Sequence, residues 1–245
     1  MRRRAERAAP VASVPRVDRL DRDGFHAAAK RGIPLVIAGV VSRWPLAALT
    51  PAALGERFGH LRVRARVDDY VETAFSPEKK TAEMSLGEYL RLGRAVSEGL
   101  PPYLANQRLP QLDELCEWPA YYEQYRDARV WLGPAGTVTP LHCDYTDNLF
   151  AQVWGSKRFR LFPPHHERFL YTWQAGPVLF GSRFDPEAPD YEALPAARQA
   201  EEVQCVLEPG ELLFLPSGWF HHVRALELSL SVNRWADDYP LALRR

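Results

Sequence analysis

Leu149-Phe150-Ala151-Gln152-Val153-Trp154-Gly155-Ser156-Lys157-Arg158-Phe159-Arg160-Leu161-Phe162 is a pair of β-rich runs around a Gly-Ser link. Six-residue runs rich in Phe, Val, Leu and Trp are strand signals, and a two-residue link containing glycine predicts a hairpin between them. The pattern recurs on both sides. Residues 130–132 precede it, and 203–207, 212–215, 221–225 and 228–235 follow, with Glu208-Pro209-Gly210-Glu211 as a turn between two apolar runs. Short strands at this spacing predict a mainly β fold, a double-stranded β-helix or jelly-roll barrel over residues 130–240.

Upstream the signals are mixed. Residues 17–31 form a helix capped at Asp21 and ending at Gly32, and residues 33–37 form a short buried strand in which Pro34 points to a sheet edge. Thr50-Pro51 opens a second helix that Gly59 stops. Residues 61–67 alternate apolar and basic, a half-exposed strand that turns Arg62, Arg64 and Arg66 to water. Ser85 with Glu88 three residues later is a capping box, and Leu86, Tyr89, Leu90, Leu92 and Val96 continue as an apolar stripe to Gly99. Residues 163–202 hold Pro163, Pro164, Pro177, Pro186, Pro189 and Pro195 with few strand signals, and are expected to form a long substrate-facing loop. The organisation expected is a flexible basic tail at 1–14 and one domain at 15–245. Within it, residues 15–129 are a helical and strand elaboration of the barrel core at 130–240.

Composition narrows the function. The chain has 245 residues, 46% of them hydrophobic, and its 31 basic and 31 acidic residues cancel, so global charge does not point to nucleic acid or an anionic membrane. The stripe Arg62, Arg64, Arg66 keeps an RNA reading open all the same. No apolar run reaches a membrane-span length of about 18 residues, and Arg2-Arg3-Arg4 is followed by no signal-peptide core, so a cytoplasmic protein is expected. Cys116, Cys143 and Cys205 lack any Cys-x-x-Cys spacing and read as free thiols.

Chemistry concentrates in the barrel. On a strand, residues two apart share a face, so His142 and Asp144 can reach one metal while Cys143 points away. His221 and His222 begin a later strand and face opposite sides, so one of them can be a third ligand, and a one-residue slip would exchange them. His165-His166 is a competing pair, placed at the surface by Pro163-Pro164. Each residue also has an ordinary reading: a satisfied core histidine, a turn aspartate, a lysine on a solvated strand face. Two imidazoles and a carboxylate on one face of an octahedral ferrous ion leave three positions, enough for a bidentate 2-oxo acid and dioxygen (O2) together. The far carboxylate of such a co-substrate needs a buried cation, for which Lys157 is the candidate, and Thr139, Tyr103, Asn148 and Asn233 offer neutral hydrogen bonds.

The stretch 137–164, the run Pro189-Asp190-Tyr191-Glu192 and the segment Ser231-Val232-Asn233-Arg234-Trp235 resemble the JmjC-type, cupin-like Fe(II)- and 2-oxoglutarate-dependent oxygenases. Within them the likeness is to the protein hydroxylases that include the asparaginyl hydroxylase inhibiting hypoxia-inducible factor. The segments Gly32-Ile33-Pro34-Leu35-Val36-Ile37 and Arg43-Trp44-Pro45 are similar to that family's entry strand and helix. The resemblance implies that His142, Asp144 and His221 bind iron, the first histidine of the 221–222 pair being the ligand. It implies that Lys157, Thr139 and Tyr103 hold the distal carboxylate of 2-oxoglutarate, with Asn148 and Asn233 lining the same space. The activity implied is hydroxylation of a protein or peptide side chain with succinate and CO2 as co-products. The rivals are the same chemistry on a small metabolite or an N-methyl group, and a catalytically retired cupin that only binds. Phe180, Gly181 and Ala105 replace polar groups of the asparaginyl enzyme, so specificity for an amide does not carry over. The chain runs only to Arg245, so the family's C-terminal dimerisation extension is expected to be missing, and oligomeric state is open.

Overall fold

The structure, a computed structural model, describes residues 13–76, 78–92, 100–177 and 179–236. Nearly all of the expected basic tail, the end of the predicted third helix at 93–99 and the C-terminal residues 237–245 lie outside the described residues. The N-terminal elements are β1 (Arg16–Val17), α1 (Arg22–Ala29), β2 (Leu35–Ile37), α2 (Pro51–Phe58), β3 (Arg62–Arg66), β4 (Thr81–Ser85), α3 (Leu86–Leu92), β5 (Leu104–Gln107) and α4 (Pro110–Asp113). The barrel strands follow as β6 (Arg129–Gly133), β7 (Val138–Asp144), β8 (Asn148–Trp154) and β9 (Lys157–Phe162). The chain continues through β10 (Thr172–Gly176), β11 (Leu179–Ser182), β12 (Val203–Leu207), β13 (Leu212–Leu215), β14 (Phe220–Ala225) and β15 (Ser229–Trp235).

The strands make a seven-stranded sheet, ordered β1-β2-β13-β8-β15-β6-β5, and a six-stranded sheet, ordered β10-β11-β7-β14-β9-β12. From β6 to β9 and again from β12 to β15 successive strands alternate between the two sheets, which makes the mainly β jelly roll the sequence predicts. One local expectation fails for that reason. β8 pairs with β13 and β15, and β9 with β14 and β12, so Gly155-Ser156 joins two sheets and closes no hairpin. Gly155 sits at φ +58°, and a Cβ there would meet the Leu228 carbonyl oxygen at 2.4 Å, so the corner requires glycine.

Both faces of the seven-stranded sheet are covered. Leu149, Ala151 and Val153 of β8 pack outward with Phe25, Trp44, Leu54 and Tyr89, while Phe150 faces inward with Phe159, Leu161, Leu213 and Val223. Burial on both faces explains why β8 reads as an almost continuous apolar run rather than an alternating one. The helices form where their caps require. Asp21 accepts from the Gly24 N–H, Thr50 from the Ala53 N–H, and Ser85 and Glu88 cap α3 reciprocally.

Three further expectations need correction. β2 lies between β1 and β13, with Pro34 just ahead of it, so the strand is not an edge. Residues 163–202 are not a plain loop: β10 and β11 pair as a hairpin that extends the six-stranded sheet beside β7, flanked by 3₁₀ turns at Pro164–Phe169 and Pro195–Gln199. Arg66 is 8% exposed, whereas Arg62 and Arg64 do face solvent. The Arg66 guanidinium is covered by the segment after β3, where it donates to both Asp68 carboxylate oxygens and to Thr73 Oγ1. Among the described residues no helix is long and apolar enough to cross a membrane.

Candidate metal centre

β7 and β14 are antiparallel neighbours, and their register sets His142 directly opposite His221. The two imidazole centroids are 4.0 Å apart, and Asp144 follows two residues along β7 on the same inward face. One ligand atom from each of His142, Asp144 and His221 lies within 4.8 Å of the other two, the only such grouping among the described residues. Cys143 points the other way, into a cluster with Leu141, Phe162 and Phe220.

Each donor is held by a partner of its own. His142 Nδ1 lies 2.8 Å from the Pro140 carbonyl and His221 Nδ1 3.1 Å from the Trp219 carbonyl. A carbonyl can only accept, so both Nδ1 atoms carry a proton, and Nε2 is the atom each ring can offer to a cation. Trp235 Nε1 donates to Asp144 Oδ2 at 2.9 Å and orients the carboxylate. Burial pushes the Asp144 carboxyl upward while neighbouring His142 pulls it down, and burial pushes His221 well below the ordinary histidine range. A carboxyl group and two imidazoles converging on one point form a donor set that a divalent cation completes.

Beyond the triad the cavity runs into the barrel between Phe150, Phe159, Leu215 and Val223, and Lys157 closes it. Lys157 is 1% exposed, its Nζ has no hydrogen-bond partner among the described residues, and burial lowers its pKa to about 7. The phenyl ring of Phe150 lies 5.4 Å from the ammonium, a weak compensation for lost water. Tyr103, Thr139, Asn148 and Asn233 line the same cavity, so all eight residues singled out in the sequence meet in one place. Tyr103 Oη and Thr139 Oγ1 are 3.4 Å apart, Asn233 Nδ2 donates to Asn148 Oδ1 at 2.9 Å, and Trp131 Nε1 donates to Asn233 Oδ1 at 2.6 Å.

Thr139 reaches this face through an irregularity that alternation does not foresee. It is three residues from His142 and by parity belongs on the opposite face. The pairing shifts between His221↔His142 and Val223↔Thr139, so Pro140 and Leu141 together oppose His222 alone. This β-bulge restores Thr139 to the inner face, and Pro140, which has no N–H to donate, stands in it.

His222 faces the outside of the sheet, with Nε2 3.8 Å from Glu187 and its pKa lowered by burial to about 4. His166, expected at the surface, is 6% exposed, and its Nδ1 accepts the Glu201 N–H at 3.0 Å, pinning one end of the 163–202 segment to the other. Sequence reasoning assigns no site role to Trp235, Trp131 or Phe75; the Phe75 ring centroid lies 5.2 Å from that of His142 and 6.2 Å from that of Trp173. The i, i+2 spacing Asn233-Arg234-Trp235, which puts Trp235 on the strand face of the candidate Asn233, is the signal that could have found it.

Residues 22–240 match the family model described as "Cupin-like domain". The chain is 34% identical over 218 residues to the lysine-specific demethylase JMJ30 of Arabidopsis thaliana, covering 83% of this chain and 50% of the relative. It is 30% identical over 210 residues to lysine-specific demethylase 8 of Xenopus tropicalis, covering 82% of this chain and 47% of the relative. Over 158 residues it is 34% identical to the human bifunctional peptidase and (3S)-lysyl hydroxylase JMJD7, covering 55% and 50%. The chain thus spans about half the length of these curated relatives. With a family match over almost its whole length, relatives named for JmjC-type demethylation and hydroxylation, and a jelly roll carrying a His-Asp-His group, the chain belongs to the family of cupin-like JmjC domains.

Proposed function

We propose that this protein is an Fe(II)- and 2-oxoglutarate-dependent oxygenase that hydroxylates a side chain of a protein or peptide. The observation that carries the reading is the pairing of the His142, Asp144 and His221 donors with the partnerless buried amine of Lys157 in one cavity. The donor set fits a ferrous ion, and the orphaned amine fits the remote carboxylate of a 2-oxo diacid.

His142, Asp144 and His221 would hold the metal, with the neutral histidines presenting Nε2 and Trp235 fixing which Asp144 oxygen turns inward. Bound there, iron supplies the chemistry of 2-oxoglutarate + O2 + R–H → succinate + CO2 + R–OH. Lys157 would pair with the distal carboxylate of 2-oxoglutarate, and the Tyr103 and Thr139 hydroxyls would donate to the same group. Asn148 and Asn233 would flank the co-substrate, kept rigid by their mutual bond and by Trp131. Phe150, Phe159, Leu215 and Val223 would exclude water along its length. The amine recovers on binding the partner it lacks in the free chain, so co-substrate affinity and selectivity for a diacid both follow from Lys157.

The names of the relatives support a lysine side chain as the first target to test. They also support a second reading, in which the hydroxylated carbon is an N-methyl group and the resulting hemiaminal breaks its C–N bond to give the free amine and formaldehyde. The test is succinate formation from 2-oxoglutarate by the purified chain with ferrous iron and ascorbate, with mass spectrometry of lysine and methyl-lysine peptides. A gain of one oxygen marks hydroxylation and loss of a methyl group marks demethylation. Turnover is expected to vanish in Asp144→Ala, and equal turnover in that variant would overturn the ligand set.

A further inference from the structure

The mouth of the metal-centre cavity is cationic, and it does not end at the mouth. Past Tyr70, Phe75, Lys79 and Arg126 it reaches Arg64, Asn106 and Gln107. The same three residues are shared with a second groove, which continues between Arg62, Arg108 and Arg129. Glu83 is the one acidic side chain in that groove.

The groove exists because two strands part. β3 and the start of β5 are bridged once, where Arg66 and Tyr103 exchange backbone hydrogen bonds of 2.8 and 3.0 Å. Beyond that point the Arg64 N–H bonds the Gln107 side-chain oxygen at 3.1 Å, and Gln107 Nε2 donates to the Ala105 carbonyl at 3.0 Å. A side-chain amide stands where a strand would lie. Asn106 beside it is one of two non-glycine residues at positive φ among the described residues (+55°), at an irregularity in the β5–β6 pairing.

The cations along this floor are not all neutralised from within. Arg66 is tied to Asp68 and Arg108 to Asp127, and Arg62 lies in the field of Glu88. Among the described residues Arg64 and Arg129 have no ion pair, although Glu83 stands opposite Arg64 in the β3–β4 register. Lys79 at the mouth is pushed below the ordinary lysine range by partial burial and by Arg66, so the entrance is already crowded with positive charge. A ligand that relieves this crowding is anionic.

We infer that the groove binds an acidic segment of the substrate polypeptide, beside the residue that enters the metal centre. Four residues of strand separate Arg66, at the mouth, from Arg62, a rise of roughly 13 Å, so the carboxylates belong about four residues along an extended peptide from the reacting side chain. Amides at Asn106 and Gln107 suit a peptide backbone. Nucleic acid fits less well, because the groove offers no aromatic ring on which a base could stack and Glu83 would face phosphate.

The inference rests on the proposed oxygenase reading, and one set of measurements separates them. Fluorescence anisotropy of the full chain would compare a lysine-centred peptide flanked by glutamates, the same peptide with glutamines, and a single-stranded oligouridine. The glutamate peptide is expected to bind at least about tenfold tighter than the glutamine one, with a preference that shrinks as salt rises. Arg64→Glu with Arg129→Glu should abolish the preference, and Arg43→Glu, a distant exposed site, should leave it. Equal binding of both peptides, an unchanged preference in the double variant, or tighter binding of oligouridine would each overturn the groove. 2-Oxoglutarate titrated into the manganese-loaded wild-type chain separates the levels. If it binds while the peptides fail, the groove alone is wrong; if it does not bind, the reading beneath is wrong as well.

Discussion

Burying an amine without a partner is costly, and Lys157 bears that cost in the free chain. Its proton is held up to about 10.5 when the chain is unfolded and only to about 7 when it is folded. The unfolded state therefore binds more protons between these values, and stability rises with pH across the window, the full penalty lying below pH 7. Its size there is on the order of 4 kcal/mol. Lys157→Met is expected to raise the melting temperature of the metal-free chain at pH 7, by roughly 5 °C or more, and to cancel the part of the pH 7 to 10 rise that the wild type owes to this amine. Calorimetry across pH on both proteins checks it, and an unchanged melting temperature would show that the amine is solvated. Trp235→Phe keeps an aromatic ring but deletes the bond to Asp144, and metal affinity is expected to fall about tenfold in a competitive titration. His142, Asp144, Lys157 and His221 stand out in the sequence because an imidazole, a carboxylate or an amine is an unusual inward residue on an apolar strand. Trp131, Trp235 and Phe75 do not, because an aromatic side chain in a barrel reads first as core. Arg66 was misjudged because alternation reports one sheet face and cannot see that the chain folds back over it.

At the scale of elements, the hairpin of β10 and β11 bears most directly on what the centre can accept. Gly181 is the cross-strand partner of His142, and the Trp173 indole lies so close that a Cβ at Gly181 would meet ring atoms at 2.6 to 2.9 Å. Phe75 spans from that indole to His142, so the hairpin and the segment after β3 together roof the entrance. Gly181→Val is expected to displace Trp173, shift tryptophan emission to the red and cost about 1 to 3 kcal/mol in denaturant unfolding. Unaltered emission would mean that the ring does not rest there. Ser85→Ala is expected to cost about 1 kcal/mol by opening the reciprocal cap of α3, measured the same way. The barrel strands could be read in the sequence because each carries six or so residues with apolar spacing. This hairpin could not, since its strands are short and lie among prolines. The Gly155-Ser156 corner reads as a hairpin in sequence because turn chemistry fixes how the chain bends, while only the completed barrel decides which strand it meets. The bulge at Pro140 is invisible to alternation for the same reason: it is defined by a partner strand far along the chain.

For the whole molecule, the two sheets enclose a polar seam between them, and the donors, the orphaned amine and the amide pair all lie along it. The proposed function requires that seam to bind a metal and a 2-oxo diacid. It is tested most directly by titrating 2-oxoglutarate into the ferrous protein under argon and following the visible charge-transfer band of a chelated 2-oxo acid. The wild type is expected to develop the band at micromolar co-substrate, Asp144→Ala to show none, and Lys157→Met to need at least about a hundredfold more 2-oxoglutarate, the loss of one buried charge-assisted pair. A wild-type chain that stays colourless at millimolar 2-oxoglutarate, or a Lys157→Met variant that binds it equally well, would contradict the account.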